Sequence, residues 1–87
     1  MRTKLIAGNW KMNGLRADLA ELDGIAAVAA GAPCDVAVAV PATLIGAAAE
    51  RAPALVIGAQ DVHPADKGAH TGCVSAAMVR DAGARFT

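Results

Sequence analysis

Three short apolar runs, each followed by a segment with another pattern, constrain this chain more than any other feature. The runs predict strands over residues 4–9, 36–40 and 55–57. A strand that is apolar on both faces is typical of a parallel sheet covered by helices, and consecutive parallel strands need a crossover between them. The predicted order is strand, helix, strand, helix, strand, loop and helix, and residues 85–87 are expected to begin a fourth strand.

The connecting segments carry the patterns of crossover helices. In the first connection, apolar residues recur at spacings of three and four, which predicts an amphipathic helix. These residues are Leu15, Leu19, Leu22, Ile25 and Ala29. A shorter helix is predicted over residues 43–51, before Pro53. A third is predicted over residues 76–82, with Ser75 as its N-cap and Gly83 as its stop.

The loop after the first strand separates the two architectures that use this unit, a doubly wound open sheet and an eight-stranded barrel. A dinucleotide-binding domain carries Gly-x-Gly-x-x-Gly at this point. Residues 8–14 instead read Gly-Asn-Trp-Lys-Met-Asn-Gly. Asn9 and Lys11 alternate, so both side chains can leave the strand end on one side. An ammonium there can meet an anion, and an amide can fix the anion's geometry.

The composition indicates a segment that packs against more protein. Hydrophobic residues make up 55% of the chain, but aromatic residues only 2%, and small side chains bury little area each. Three and a half strand–helix units would also leave both sheet edges open, with unpaired backbone groups. We therefore expect residues 1–87 to be part of a larger fold.

Charge, hydropathy and cysteine content exclude several classes of function. Eight basic and eight acidic residues give a net charge of zero without a basic stripe, which argues against a nucleic-acid partner. The longest uncharged stretch, residues 36–49, is too short to span a bilayer. Cys34 and Cys73 are expected to be reduced, because no export signal precedes the first strand. A soluble cytoplasmic protein is predicted.

The first loop also carries a resemblance to a known family. Residues 7–13, Ala-Gly-Asn-Trp-Lys-Met-Asn, resemble the end of the first strand in triosephosphate isomerases. Residues 58–61 resemble the end of that family's third strand, and residues 68–75 its long third loop. Residues 76–84 resemble the helix that follows. The similarity covers the whole chain in register.

The resemblance implies an α/β fold, a (β/α)8 barrel. This chain would hold the first three βα units and the start of strand 4, so residues 1–87 would be the N-terminal part of a single barrel domain. The implied activity interconverts dihydroxyacetone phosphate and D-glyceraldehyde 3-phosphate in glycolysis and gluconeogenesis, without a cofactor or a metal. Asn9 and Lys11 match residues that contact the substrate. Lys11 is also the implied catalytic residue, since it would offset negative charge on the phosphate and the carbonyl oxygen.

A homodimer is implied as well. Thr71, with Gly72 beside it, matches the tip of the third loop, which in the family reaches into the partner subunit and braces its first loop. Cys73 stands where the family usually has an acidic residue, a departure that concerns a charged contact across the dimer rather than the fold. In the family, the base, the electrophile, the lid and the phosphate-binding glycines follow this segment. Residues 1–87 alone are therefore expected to be inactive.

Other functions stay open on the residues alone. The chain is also compatible with a non-catalytic α/β interaction module, or with a related barrel isomerase that acts on another phosphorylated sugar. Asp61, His63, His70 and Cys73 are residue types that bind zinc, but their spacing matches no established motif. Solvated or interface side chains are the simpler interpretation of these four. Trp10 is expected to pack rather than to take part in chemistry.

Overall fold

A three-stranded parallel sheet organises the computed structural model, which describes residues 2–87. The strands, in their order across the sheet, are β1 (Leu5–Asn9), β2 (Asp35–Ala39) and β3 (Val56–Gly58). The register pairs Asn9 with Ala39, and Ala39 with Gly58. The three strands therefore end in one row, and the loops that follow them leave from the same edge of the sheet.

Three helices complete the βα units. They are α1 (Ala20–Ala29), α2 (Ile45–Arg51) and α3 (Ala76–Ala82), and 3-10 turns at Arg16–Leu19 and Ala42–Leu44 precede the first two. The predicted N-cap of α3 is confirmed, because Ser75 Oγ accepts a hydrogen bond from the Met78 N–H at 3.2 Å. Within the described part of the chain, no helix is long and apolar enough to cross a membrane.

The first helix begins later than its periodicity predicts. Leu15 lies before the 3-10 turn and is 76% exposed, so its assignment to the buried stripe is wrong. Its backbone N–H donates to Asp18 Oδ2 at 2.7 Å, and the turn that follows has three residues per turn rather than 3.6. The first residues of the apolar stripe that are buried in the core are therefore Leu19 and Leu22.

The core lies where the sheet meets α1, α2 and α3. Its largest fully buried side chains are Leu22, Val40, Ile45 and Ile57. The first strand differs, since all five of its residues are exposed, with Leu5 at 61% and Ile6 at 58%. The expectation that this strand is buried on both faces is therefore wrong for residues 2–87. The reason is that little of the described chain other than β2 packs against β1, whereas β3, at the other edge of the sheet, is covered by α2.

The chain returns to β3 after α3, but without forming the expected start of a fourth strand. The Arg85 N–H donates to the Ile57 carbonyl at 2.7 Å, and the Ala59 N–H donates to the Phe86 carbonyl at 2.9 Å. In a regular parallel ladder, one residue makes both of these bonds. Here Arg85 and Phe86 make one each, so residues 85–87 lie beside β3 without the repeat of a strand.

A bidentate ion pair joins α1 to α2. Arg51 Nε and Nη2 donate to the two carboxylate oxygens of Asp23 at 2.9 and 2.8 Å. The hydrogen bonds from Arg51 hold the pKa of the Asp23 carboxyl below its usual value, and Asp23 in turn raises the pKa of Arg51. Both side chains are about half exposed, so the pair orients the helices more than it stabilises them.

Candidate active site at the carboxyl ends of the strands

The residues whose side chains could bind a ligand or take part in catalysis lie at the edge where the parallel strands end. Asn9 is the last residue of β1, and Lys11 follows two positions later. Gln60 lies two positions beyond the end of β3. Loops at this edge of a parallel sheet are where α/β enzymes place their active sites.

Lys11 has an unusual backbone conformation. Its φ of 57° makes it the one non-glycine residue with a positive φ in residues 2–87. The left-handed conformation costs an L-residue about 1–2 kcal/mol, because the Cβ approaches the following carbonyl oxygen. Such a residue persists where its surroundings fix it, and it is often found at functional sites.

Three hydrogen bonds fix the backbone of Lys11. Its N–H donates to Asn9 Oδ1 at 2.8 Å. Its carbonyl accepts from the Asn13 N–H at 2.9 Å and from Gln60 Nε2 at 2.9 Å. Both polar backbone groups of Lys11 are therefore engaged. Because β1 ends at Asn9, strand alternation does not extend to Lys11, and these hydrogen bonds set its position instead.

Trp10 anchors the same loop to the sheet. Its N–H donates to the Ala39 carbonyl at 3.0 Å, and its own carbonyl accepts from Asn13 Nδ2 at 2.8 Å. Its ring is packed against the core and lies close to Gly14, whose φ is +115°. A Cβ at Gly14 would lie 2.8 Å from the ring and 3.0 Å from Leu44. The expected packing role of Trp10 is confirmed by these contacts.

The charge at this edge is available to a ligand. The ion pair between Asp23 and Arg51 is the one salt bridge among residues 2–87, so the Lys11 ammonium has no carboxylate partner within this part of the chain. Asn9 uses Oδ1 to hold Lys11, which leaves its Nδ2 group as a donor. A cation without an ion-pair partner and an amide donor two positions before it are suited to binding a phosphate or an oxygen that gains negative charge.

The third loop, between β3 and α3, is held by its own hydrogen bonds. The His63 N–H donates to the Val74 carbonyl at 2.8 Å, which closes the base of the loop. At the tip, the Cys73 N–H donates to the His70 carbonyl at 3.0 Å. Gly72 has a φ of +88°, as the third residue of a type II turn requires.

The predicted interface residues Thr71 and Gly72 are the two central residues of this tip turn, and both are exposed. No hydrogen bond within residues 2–87 joins either of them to the first loop. Within the described residues, Thr71 and Gly72 therefore take no part in the hydrogen bonds that hold Lys11.

The possible zinc ligands do not converge. In the described part of the chain, the residues Asp61, His63, His70 and Cys73 form no group of three that could hold a metal ion. The rings of His63 and His70 stack, with centroids 4.0 Å apart. In addition, His63 Nδ1 accepts a hydrogen bond from the Ala65 N–H at 3.0 Å. Stacked rings stabilise the loop, whereas a metal needs ring nitrogens that point at one centre.

The sequence patterns missed the contribution of Gln60. Its side-chain amide donates a hydrogen bond to the carbonyl of Lys11. Its place two positions after β3 was the pattern that could have indicated this contact, because the ends of parallel strands share an edge with the loop after β1. The left-handed backbone conformation of Lys11 could not be predicted from the residue type.

The parallel strands and their crossover helices define an α/β protein of three consecutive βα units, the unit from which (β/α)8 barrels are built. Comparison with known proteins agrees with this class. The sequence model of the family described as triosephosphate isomerase matches residues 4–87. The chain therefore belongs to the triosephosphate isomerase family.

Individual relatives give the same result. The chain is 57% identical over 86 residues to the triosephosphate isomerase of Jannaschia sp. (strain CCS1), with 97% of the chain and 35% of the relative covered. It is 58% identical over 88 residues to that of Dinoroseobacter shibae, with 99% and 36% covered. The crystal structure of triosephosphate isomerase from Bartonella henselae superposes with a TM-score of 0.85 at 41% identity, over 92% of this chain and 34% of that one. The chain thus spans about a third of the length of the curated relatives it matches.

Proposed function

We propose that residues 1–87 are the N-terminal part of a single (β/α)8-barrel domain, and that the protein carrying them interconverts dihydroxyacetone phosphate and D-glyceraldehyde 3-phosphate. The observation that carries this proposal is Lys11, a cation without an ion-pair partner in residues 2–87, held in a left-handed conformation at the carboxyl edge. The relatives that match the chain are named for the same activity.

Lys11 and Asn9 would serve the reaction by electrostatics. Isomerisation moves a proton between neighbouring carbons, and negative charge develops on the carbonyl oxygen as it does so. A preorganised ammonium stabilises that charge more in the transition state than in the ground state, and it also attracts the phosphate. Asn9 Nδ2 would donate to a substrate oxygen. In the scheme described for triosephosphate isomerase, a glutamate is the base and a neutral histidine polarises the carbonyl.

The test compares two lysines that flank the same strand, in the full-length protein that carries this segment. Lys11 follows the carboxyl end of β1, and the exposed Lys4 precedes its amino end. We expect Lys11→Ala to lower kcat/KM for glyceraldehyde 3-phosphate at least about 100-fold, because an oriented charge is lost. Lys4→Ala should leave it unchanged. Equal activities of the two variants would remove Lys11 from the site.

The same assay separates the other candidate functions. A non-catalytic module would bind phosphate through Lys11 without turnover of either triose phosphate. A related isomerase would turn over a different phosphorylated sugar and leave these two unchanged. A glycolytic role also implies a cytoplasmic location, which fractionation of cells that express the protein would test.

We further propose a homodimer in which the turn at Thr71 and Gly72 docks on the first loop of the partner subunit. Two exposed apolar side chains on the first loop support this proposal, because a partner subunit would cover them. Met12 is 95% exposed and Leu15 is 76% exposed. We expect Thr71→Arg to shift the full-length protein toward monomer in sedimentation equilibrium at micromolar concentration. Lys67→Ala, an exposed change in the same loop, should leave the dimer intact. A dimer that withstands Thr71→Arg would contradict the assignment.

A further inference from the structure

We propose that Gln60 is a positioning residue, which acts on the reaction by holding the backbone of Lys11 in its left-handed conformation. This inference rests on the proposed function, because Lys11 must be the cation at the substrate. The contact that carries it is the hydrogen bond from Gln60 Nε2 to the Lys11 carbonyl at 2.9 Å, across 49 positions of sequence.

Gln60 differs from the other partners of Lys11 in where it is anchored. Asn9 and Asn13 lie in or beside the same loop, so their hydrogen bonds shape the loop internally. Gln60 lies two positions beyond the end of β3, two strands away. It is the one side chain from outside the first loop that bonds to the Lys11 backbone in residues 2–87. It therefore ties the Lys11 backbone itself to the third strand end, whereas the Trp10 N–H ties the preceding residue to β2.

The amide of Gln60 joins the ends of all three strands. Its Nε2 group has two N–H donors, and it also lies 3.4 Å from the Ala39 carbonyl, at the end of β2. The same carbonyl accepts the Trp10 N–H that follows β1. The Gln60 side chain thus spans from β3 to β2 and to the first loop. Its oxygen plays no part in these bonds, so only the donor end of the amide is used.

The physical consequence concerns the strain at Lys11. A left-handed lysine relaxes to a negative φ once the groups that hold it are removed. Such a change rotates the peptide planes on either side and displaces the ammonium. Displacement of a catalytic group by about 1 Å lowers the rate on the order of 100-fold. A residue without contact to substrate would then control the charge at the site.

The experiment replaces Gln60 by methionine in the full-length protein, because methionine keeps the length of the side chain and lacks both donors. We expect Gln60→Met to lower kcat/KM for glyceraldehyde 3-phosphate about 10- to 100-fold. Ser75→Ala is the matched control, since it also removes a side-chain hydrogen bond to a backbone group. It should lower the melting temperature and leave kcat/KM unchanged.

A double-mutant cycle distinguishes positioning from general stabilisation. In a Lys11→Ala background, Gln60→Met should change kcat/KM by less than about twofold, because the group it positions is absent. An unchanged kcat/KM of Gln60→Met in the otherwise native protein would overturn the proposal. The same full loss in both backgrounds would overturn it too, since Gln60 would then act independently of Lys11.

The conformation of Lys11 gives a readout that does not depend on turnover. A crystal structure of the Gln60→Met variant should show Lys11 with a negative φ, and a retained left-handed Lys11 would overturn the proposal. A native protein without isomerase activity would refute the proposed function, whereas an active protein whose Gln60→Met variant is equally active would refute only the role of Gln60.

Discussion

Replacement of Lys11 by glycine, with alanine as the matched comparison, separates the charge of this side chain from the strain of its backbone. Both variants lose the ammonium. They differ by one Cβ atom, at a residue whose φ is 57°. An alanine keeps the clash between the Cβ and the following carbonyl oxygen, which costs about 1–2 kcal/mol. A glycine removes that cost but gains about 0.4–1 kcal/mol of conformational entropy in the unfolded chain.

The difference between these terms predicts that Lys11→Gly is more stable than Lys11→Ala by about 1 kcal/mol. Urea unfolding of the two full-length variants at one protein concentration measures it. With a slope of about 3 kcal/mol per molar urea, the midpoints should differ by about 0.3 M. Both variants should be far less active than the native protein. A Lys11→Gly variant that is less stable than Lys11→Ala would refute the idea that strain is stored at Lys11.

Two further predictions concern the first loop and the helices. Gly14→Ala should destabilise the protein by about 2 kcal/mol in urea unfolding, because a positive φ is strained for alanine and the new Cβ would lie 2.8 Å from the Trp10 ring. An unchanged midpoint would show that the loop adapts freely. The lowered pKa of Asp23 means that its ion pair with Arg51 stabilises the fold above the unfolded value, 3.8, and that this contribution is lost as the pH falls through the lower folded value. The stability difference between the native protein and Asp23→Asn should therefore shrink as the pH falls below 3.8. A difference that stays constant down to pH ~2 would contradict this prediction.

The strands and helices could be predicted from local patterns, because burial and helix capping depend on residue types close together in the sequence. The apolar runs predicted the three strands, and Ser75 predicted the start of α3, as the structure confirms. Leu15 fits the helical spacing but lies before the 3-10 turn, because spacing alone does not mark where a helix begins. The exposure of β1 was not predictable either. Its apolar residues suit two buried faces, whereas residues 2–87 supply neighbours on one edge.

The sequence predicted where the candidate site lies, but not the backbone conformation and hydrogen bonds within it. The motif around Lys11 indicated a cation and an amide at a strand end, and both lie at the carboxyl edge of the sheet. The backbone conformation of Lys11 depends on a hydrogen bond from Gln60, which is 49 positions away. A contact over that distance is set by the order and register of the strands. No pattern within the first loop records it.

The side-chain amide of Asn9 is oriented so that its donor group is free and its oxygen is not. Its oxygen is committed to the Lys11 N–H at 2.8 Å, so the part of the amide that can face a ligand is the NH2 group. Together with the ammonium of Lys11, this group offers hydrogen-bond donors, which suit molecules rich in acceptor oxygens. An aspartate at position 9 would still hold Lys11 but would turn the free donor into a second, negatively charged oxygen. The neighbouring backbone therefore requires an oxygen at position 9, and only the amide adds a hydrogen-bond donor to that oxygen.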